Sequence, residues 1–251
     1  MRTKTLVLTA AISAAALATS MAQIFSVNAV GYVKGTIPAN HLILMANPLN
    51  QPNNDLSLIL PLKDDTTQDG VLIFRFNPAT GSYRNPITWF SNGTPGQGGV
   101  WFSPDSLSDP NATVVNPGEG FFFWNNTGSP IDVTFVGEVM QGSLSNPIPA
   151  NGALSMRASQ VPQEANLGDP TMAGTLGFPG HDGDIVYIFD LTGQTYKDPY
   201  TYFGTPGAGG VWFSFSDPTS AGPSIPVAGG FFVIKSDAAA SVPWTRTFSV
   251  N

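Results

Sequence analysis

Gly93-Thr-Pro-Gly-Gln-Gly-Gly-Val-Trp-Phe-Ser103 returns as Gly204-Thr-Pro-Gly-Ala-Gly-Gly-Val-Trp-Phe-Ser214, with one residue changed and 111 positions later. Ile37-Pro-Ala-Asn40 returns as Ile148-Pro-Ala-Asn151 at the same spacing. A period of this length exceeds a solenoid unit and matches a whole small domain. The chain therefore reads as a duplicated domain in which each copy is a control on the other. A residue kept in both copies serves the fold first; a residue present in one copy is free of that constraint.

Further blocks align outward from this pair. Ile73-Phe-Arg-Phe76 matches Val186-Tyr-Ile-Phe189, Tyr83-Arg-Asn-Pro86 matches Tyr196-Lys-Asp-Pro199, and Ile87-Thr-Trp-Phe90 matches Tyr200-Thr-Tyr-Phe203. Gly120-Phe-Phe122 lies opposite Gly230-Phe-Phe232, and Thr134-Phe135 opposite Thr247-Phe248. The offsets wander between 110 and 113, as expected of fixed strands joined by drifting loops. The blocks are short, rich in β-branched and aromatic residues, and stop at Gly, Pro, Asn or Asp, which is the pattern of strands. Asn77-Pro-Ala-Thr-Gly81 and Asp190-Leu-Thr-Gly193 read as hairpin connections. Only Leu56 to Leu62 suits a helical turn, and Pro61 limits it. The fold class expected is all-β, with two tandem homologous domains, each a β-sandwich or a small β-barrel. The boundaries are 23–139 for copy 1, 140–145 for a linker and 146–251 for copy 2.

The N-terminus carries an export signal. Arg2 and Lys4 form a basic n-region, Leu6 to Ala18 is apolar, and Ser20-Met-Ala22 places small residues where a signal peptidase reads. Residues 1–22 are expected to be removed, because the apolar run is shorter than the ~20 residues a bilayer span needs. Losing Arg2 and Lys4 leaves 8 basic against 17 acidic groups, a net charge of −9. That balance argues against nucleic acid and against anionic membrane surfaces as partners. No later segment is long and apolar enough to span. The chain has no cysteine, so neither disulfides nor a lipid-modified cysteine can hold it. A secreted location is expected: extracellular, periplasmic or at the cell surface.

Candidate sites thin out under the two-copy comparison. His181-Asp-Gly-Asp184 resembles a metal cluster, yet Asp182-Gly183 matches Asp69-Gly70 before the same strand, so the shared pair reads as a turn. His41 and His181 are the only histidines, and neither sits in a nucleophile or zinc pattern. Glu119 lies in a Pro-Gly-Glu-Gly turn and has Gly229 opposite. No catalytic residue, metal site or cofactor is expected. Trp101 and Trp212 are equivalent and read as core anchors, while Trp124 and Trp244 read as apolar packing. Trp89, Tyr200 and Tyr202 alternate with threonines near a loop rim. They are the candidate ligand contacts, suited to stacking on a sugar or meeting a partner.

Ser26-Val-Asn-Ala-Val-Gly-Tyr32, Asn116-Pro-Gly-Glu-Gly-Phe121, Thr134-Phe-Val-Gly-Glu-Val139 and Trp244-Thr-Arg-Thr-Phe-Ser-Val-Asn251 carry a resemblance. The chain is similar to an uncharacterised family of exported, duplicated β-rich proteins found as paralogous sets in Verrucomicrobia-type bacteria. That resemblance implies a secreted protein and assigns no active-site residue. The expected function is that of a non-enzymatic secreted or cell-surface protein, structural or adhesive. A carbohydrate-binding module protein is the alternative, ahead of a glycan-degrading enzyme and of an outer-membrane barrel. The candidate partners are an extracellular polysaccharide or a cell-surface component. N-terminal sequencing of material released from the producing cell should read from Gln23; a chain starting at Met1 would restore an uncleaved anchor.

Overall fold

The computed structural model describes residues 29–92, 98–150, 152–205, 208–218, 221–236 and 241–250; the segment 1–22, expected from the sequence to be an export signal, lies outside them. The first half contains β1 (Val30–Ile37), β2 (His41–Ala46), the one-turn helix α1 (Leu56–Ile59), β3 (Leu72–Phe74), β4 (Phe76–Asn77), β5 (Ser82–Tyr83), β6 (Ile87–Phe90), β7 (Val100–Phe102), β8 (Gly120–Asn125) and β9 (Ile131–Glu138). The second contains β10 (Gly142–Ile148), β11 (Leu154–Arg157), β12 (Ala165–Asn166), β13 (Ile185–Tyr187), β14 (Phe189–Asp190), β15 (Thr195–Tyr196), β16 (Tyr200–Thr205), β17 (Gly209–Phe213), β18 (Ser224–Ile225), β19 (Phe231–Ile234) and β20 (Val242–Phe248). The molecule is nearly all β, in several sheets.

One five-stranded sheet runs β2-β8-β3-β6-β7 and another β11-β19-β13-β16-β17. Their ladders agree residue by residue. A row across the first reads Leu42, Trp124, Leu72, Thr88, Phe102. The matching row across the second reads Leu154, Ile234, Ile185, Thr201, Phe213. A two-stranded ribbon covers the inner face of each sheet, β1 with β9 and β10 with β20. None of these sheets closes on itself, so the small-barrel alternative gives way to open sheets packed face to face.

Period-two alternation assigns the faces. Ile73, Ile87, Trp89, Trp101, Phe121 and Phe123 point toward the first ribbon and meet Ile37, Val133 and Phe135. Val186, Tyr200, Tyr202, Trp212, Phe231 and Val233 do the same beneath Ile148 and Trp244. Trp101 and Trp212 are both buried. The indole of Trp101 donates to Leu60 O at 3.0 Å and that of Trp212 to Gly168 O at 3.2 Å. The second glycine of each repeated Gly-Gly is required by close approach. A Cβ on Gly99 would lie 2.2 Å from the Trp89 ring, and one on Gly210 would lie 2.5 Å from the Tyr202 ring.

The opposite faces of the two sheets meet each other at their inner ends. Leu44, Phe122, Met156 and Phe232 form a buried cluster there. The contacts are reciprocal: Phe76 packs on Phe232 with centroids 5.6 Å apart, and Phe189 packs on Phe122 at 5.1 Å. Phe122 and Phe232 meet on the axis between these pairs at 6.1 Å. Ala46 N–H donates to Ala228 O at 2.9 Å, and its counterpart Ala158 N–H to Gly118 O at 3.0 Å. Contacts of i to j answered by j to i define an isologous, two-fold arrangement.

Two sequence expectations shift. Gly142–Ser145 belongs to β10 rather than to a linker, because that segment pairs with Phe248–Thr245. Thr134 and Thr247 are not level: Thr134 faces Lys34 while Thr247 faces Ser143. With Ile37 and Ile148 level, the closing strand of the second half has slid by two residues. A slip of two keeps inward residues inward, so Trp244 enters the core in the place of Val133.

Trp101→Ala and Trp212→Ala should each cost about 3–5 kcal/mol through lost burial and a cavity. The two rings share no partner, so the double variant should be additive to within about 0.5 kcal/mol in denaturant unfolding. Strong non-additivity would mean the two cores are energetically one.

Candidate functional site

The three residues expected at a binding rim are in the interior. Trp89 and Tyr202 are each 1% exposed, and Tyr200 is buried beside them. Trp89 packs on Trp101 at 5.3 Å, and its counterpart Tyr202 on Trp212 at 5.1 Å. Tyr200 and Tyr202 do share a strand face, and that face looks inward. Their rings therefore offer no stacking surface. Their hydroxyls reach carboxylates instead, Tyr200 donating to Asp217 at 2.6 Å and Tyr202 to Asp169. Burial raises both phenols above their ordinary range, and the adjoining carboxylates push them further.

Exposed aromatic residues include their strand neighbours. Burying the Trp of Val-Trp-Phe turns Val and Phe outward. Phe90, Val100 and Phe102 are 45%, 53% and 42% exposed, and in the second half Phe203 and Val211 are 51% and 39% exposed. Phe90 and Phe102 sit with centroids 6.5 Å apart; their counterparts Phe203 and Phe213 sit 6.4 Å apart. Each group continues the face that carries the central cluster, by way of Trp124, Leu72 and Thr88 in one sheet and Ile234, Ile185 and Thr201 in the other. Trp124, read from the sequence as packing, is half in solvent against Phe74. The signal for these faces was present: the same alternation that buries each Trp exposes its neighbours.

A pocket of about 270 Å³ exists in the second half, with Asp169, Thr171, His181, Tyr202 and Lys235 in its wall. Lys235 and Asp184 form a fully buried ion pair. Lys235 also donates to Pro179 O at 2.6 Å, and Asp184 accepts from Ser236 N–H at 2.8 Å and His181 N–H at 2.7 Å. The His181–Asp184 segment is thus a turn clamped around an ammonium. Gly183 (φ 83°) and its counterpart Gly70 (φ 85°) both take the left-handed conformation that segment needs. Asn125 and Val71 stand where the second half has Lys235 and Asp184, so the pair belongs to one half only.

A second cavity, about 280 Å³ and apolar, opens where the halves meet, beside Val33, Gly35, Leu44, Ile188, Phe189 and Ala228. The two-fold counterpart of this place is filled. Arg75 donates to Glu119 at 2.6 Å and 3.1 Å, and Asn146 donates to Gly118 O and Ala158 O. Ile188, Gly229 and Gly35 replace Arg75, Glu119 and Asn146, and the smaller set leaves the space.

No family model, no curated protein and no solved structure matches this chain.

Burial of the Asp169 carboxyl favours its neutral form, but the hydroxyl of Tyr202 and the N–H and hydroxyl of Thr171 outweigh it and hold the group below the usual carboxylate range. A depressed carboxylate stabilises the fold above its unfolded pKa and loses that contribution as the pH falls through its folded pKa. Tyr202→Phe should raise the Asp169 titration, seen by NMR. Acid unfolding of the second half should then begin at higher pH. An unchanged titration would mean that Tyr202 does not hold the carboxylate.

Proposed function

We propose that this chain is an exported, non-enzymatic protein of structural or adhesive role, built from two homologous β-sandwich units. The matched sheet orders, the matched rows and the repeated sequence blocks support reading the halves as one duplicated domain. The observation that carries the functional reading is the pair of exposed aromatic faces. Core residues kept in both copies are accounted for by folding. Phe90, Val100 and Phe102 recur as the exposed Phe203 and Val211 and the half-buried Phe213, in outward positions where the core does not require them. Large exposed apolar side chains grouped on one face mark contact surfaces. The polar groups gathered near Tyr202 are engaged in fixed bonds to one another, which suits architecture more than turnover.

A carbohydrate-binding role is the second reading. It is favoured by the exposure of Trp124, Tyr83 and Tyr196, since amphipathic rings of this kind stack on sugars. The two readings part in one experiment. The mature protein should co-sediment with washed envelopes of the producing cell and stay silent on a glycan array. Retention on a defined polysaccharide that Trp124→Ala abolishes would replace the structural reading with the carbohydrate one.

A further inference from the structure

We infer that the two exposed aromatic faces are docking surfaces for further copies of this same chain, so that the protein assembles beyond a dimer. The inference rests on the structural reading above and names the partner.

Identity of the occupant follows from continuity. Each face is the outer end of a surface whose inner end is already buried, at Phe122 in one sheet and Phe232 in the other. What covers that inner end is the equivalent surface of the other half, packed about a two-fold axis. The molecule therefore contains one worked instance of this face binding its own kind. The rows continue outward with the same chemistry in both sheets: an apolar residue, Thr88 or Thr201, then Phe102 or Phe213. Phe90 and Val100 in one half, and Phe203 and Val211 in the other, extend the face to the last strand pair. In the second half Phe215, 91% exposed, adds its ring to Phe213 at 5.3 Å.

The chemistry also separates this occupant from others. A sugar site needs side chains that hydrogen-bond hydroxyls around a stacking ring. Between the phenylalanines and valines here, only the threonine hydroxyls could serve. An anionic membrane surface would call for lysine or arginine, and the rows contain none. A second sheet of the same shape and apolarity meets the surface without stranding polar groups, since stacked sheets interleave side chains at about 10 Å.

Two such faces per chain have a consequence that one would not. A chain with a single self-complementary face stops at a dimer, whereas two faces permit growth. Sedimentation velocity of the mature chain over a wide concentration range, beside Phe90→Thr/Phe102→Thr, Phe203→Thr/Phe213→Thr and the quadruple variant, tests this. Threonine keeps strand propensity at these outward-facing positions, and unchanged melting of each variant verifies that it folds. The expected result is species larger than a dimer for the unaltered chain, no species beyond a dimer for each double variant, and monomer for the quadruple variant. An unaltered chain that remains monomeric or stops at a dimer overturns the inference, as does a quadruple variant that still assembles. Envelope co-sedimentation in parallel keeps the failures apart: a monomer that binds envelopes sinks self-assembly alone, and a chain that neither binds nor assembles sinks both.

Discussion

The indole of Trp101 can be buried only if Val100 and Phe102 are turned out, and the same holds for Trp212 between Val211 and Phe213. A strand has two faces and a period of two, so the inward choice at one residue fixes its neighbours. The inward choice is strongly held. Each ring fills the space over its sheet, bonds a carbonyl on a covering loop, and packs against the ring at the facing position on the adjacent strand. The apolar outer faces are thus tied to the same decision that builds the cores. Polar residues beside each Trp would satisfy the same alternation, and in both halves Val and Phe stand there instead.

Within matching sheet orders the halves differ in polarity. The second half holds a buried ammonium against a buried carboxylate where the first has Asn125 and Val71. Such a pair is a poor source of net stability, because desolvation offsets most of the attraction, but losing one partner is costly. At the junction the trend is reversed: the first half supplies Arg75 and Glu119, and the second supplies Ile188 and Gly229. The result is an asymmetric seam across a near-symmetric joint, filled on one side and open on the other.

Much of this architecture was legible in the sequence because recurring blocks expose what folding requires. The strand blocks, the turns at Asn77–Gly81 and Asp190–Gly193, and the burial of Trp101 and Trp212 all follow from composition, periodicity and recurrence. The candidate site was less legible. Tyr200 and Tyr202 were placed on one face by alternation, but alternation does not say which face is inward, and amphipathic rings suit either. Trp124 sits opposite an isoleucine in the repeat and reads as packing, yet it falls where the two sheet faces part. Gln194 was unreadable for another reason. It takes the left-handed conformation (φ 49°) that Gly81 (φ 65°) takes in the first half. Its amide accepts from Leu42 N–H at 2.9 Å and donates to Leu42 O at 3.1 Å. A backbone cost at one turn is met by covering the edge of a strand 152 residues away, and no local pattern encodes such a partner.

The junction between β9 and β10 has a consequence for the strength of the joint. Three residues, Val139, Met140 and Gln141, separate Glu138 from Gly142. A tether this short holds the two halves at an effective local concentration on the order of millimolar or more. The buried aromatic joint between them can therefore be weak as an interaction between free molecules and still be closed within one chain. The same chemistry, offered between separate chains by the outer faces, has no such tether. It is governed by concentration alone, so a high local density of chains would do for the outer faces what three residues of backbone do for the inner ones.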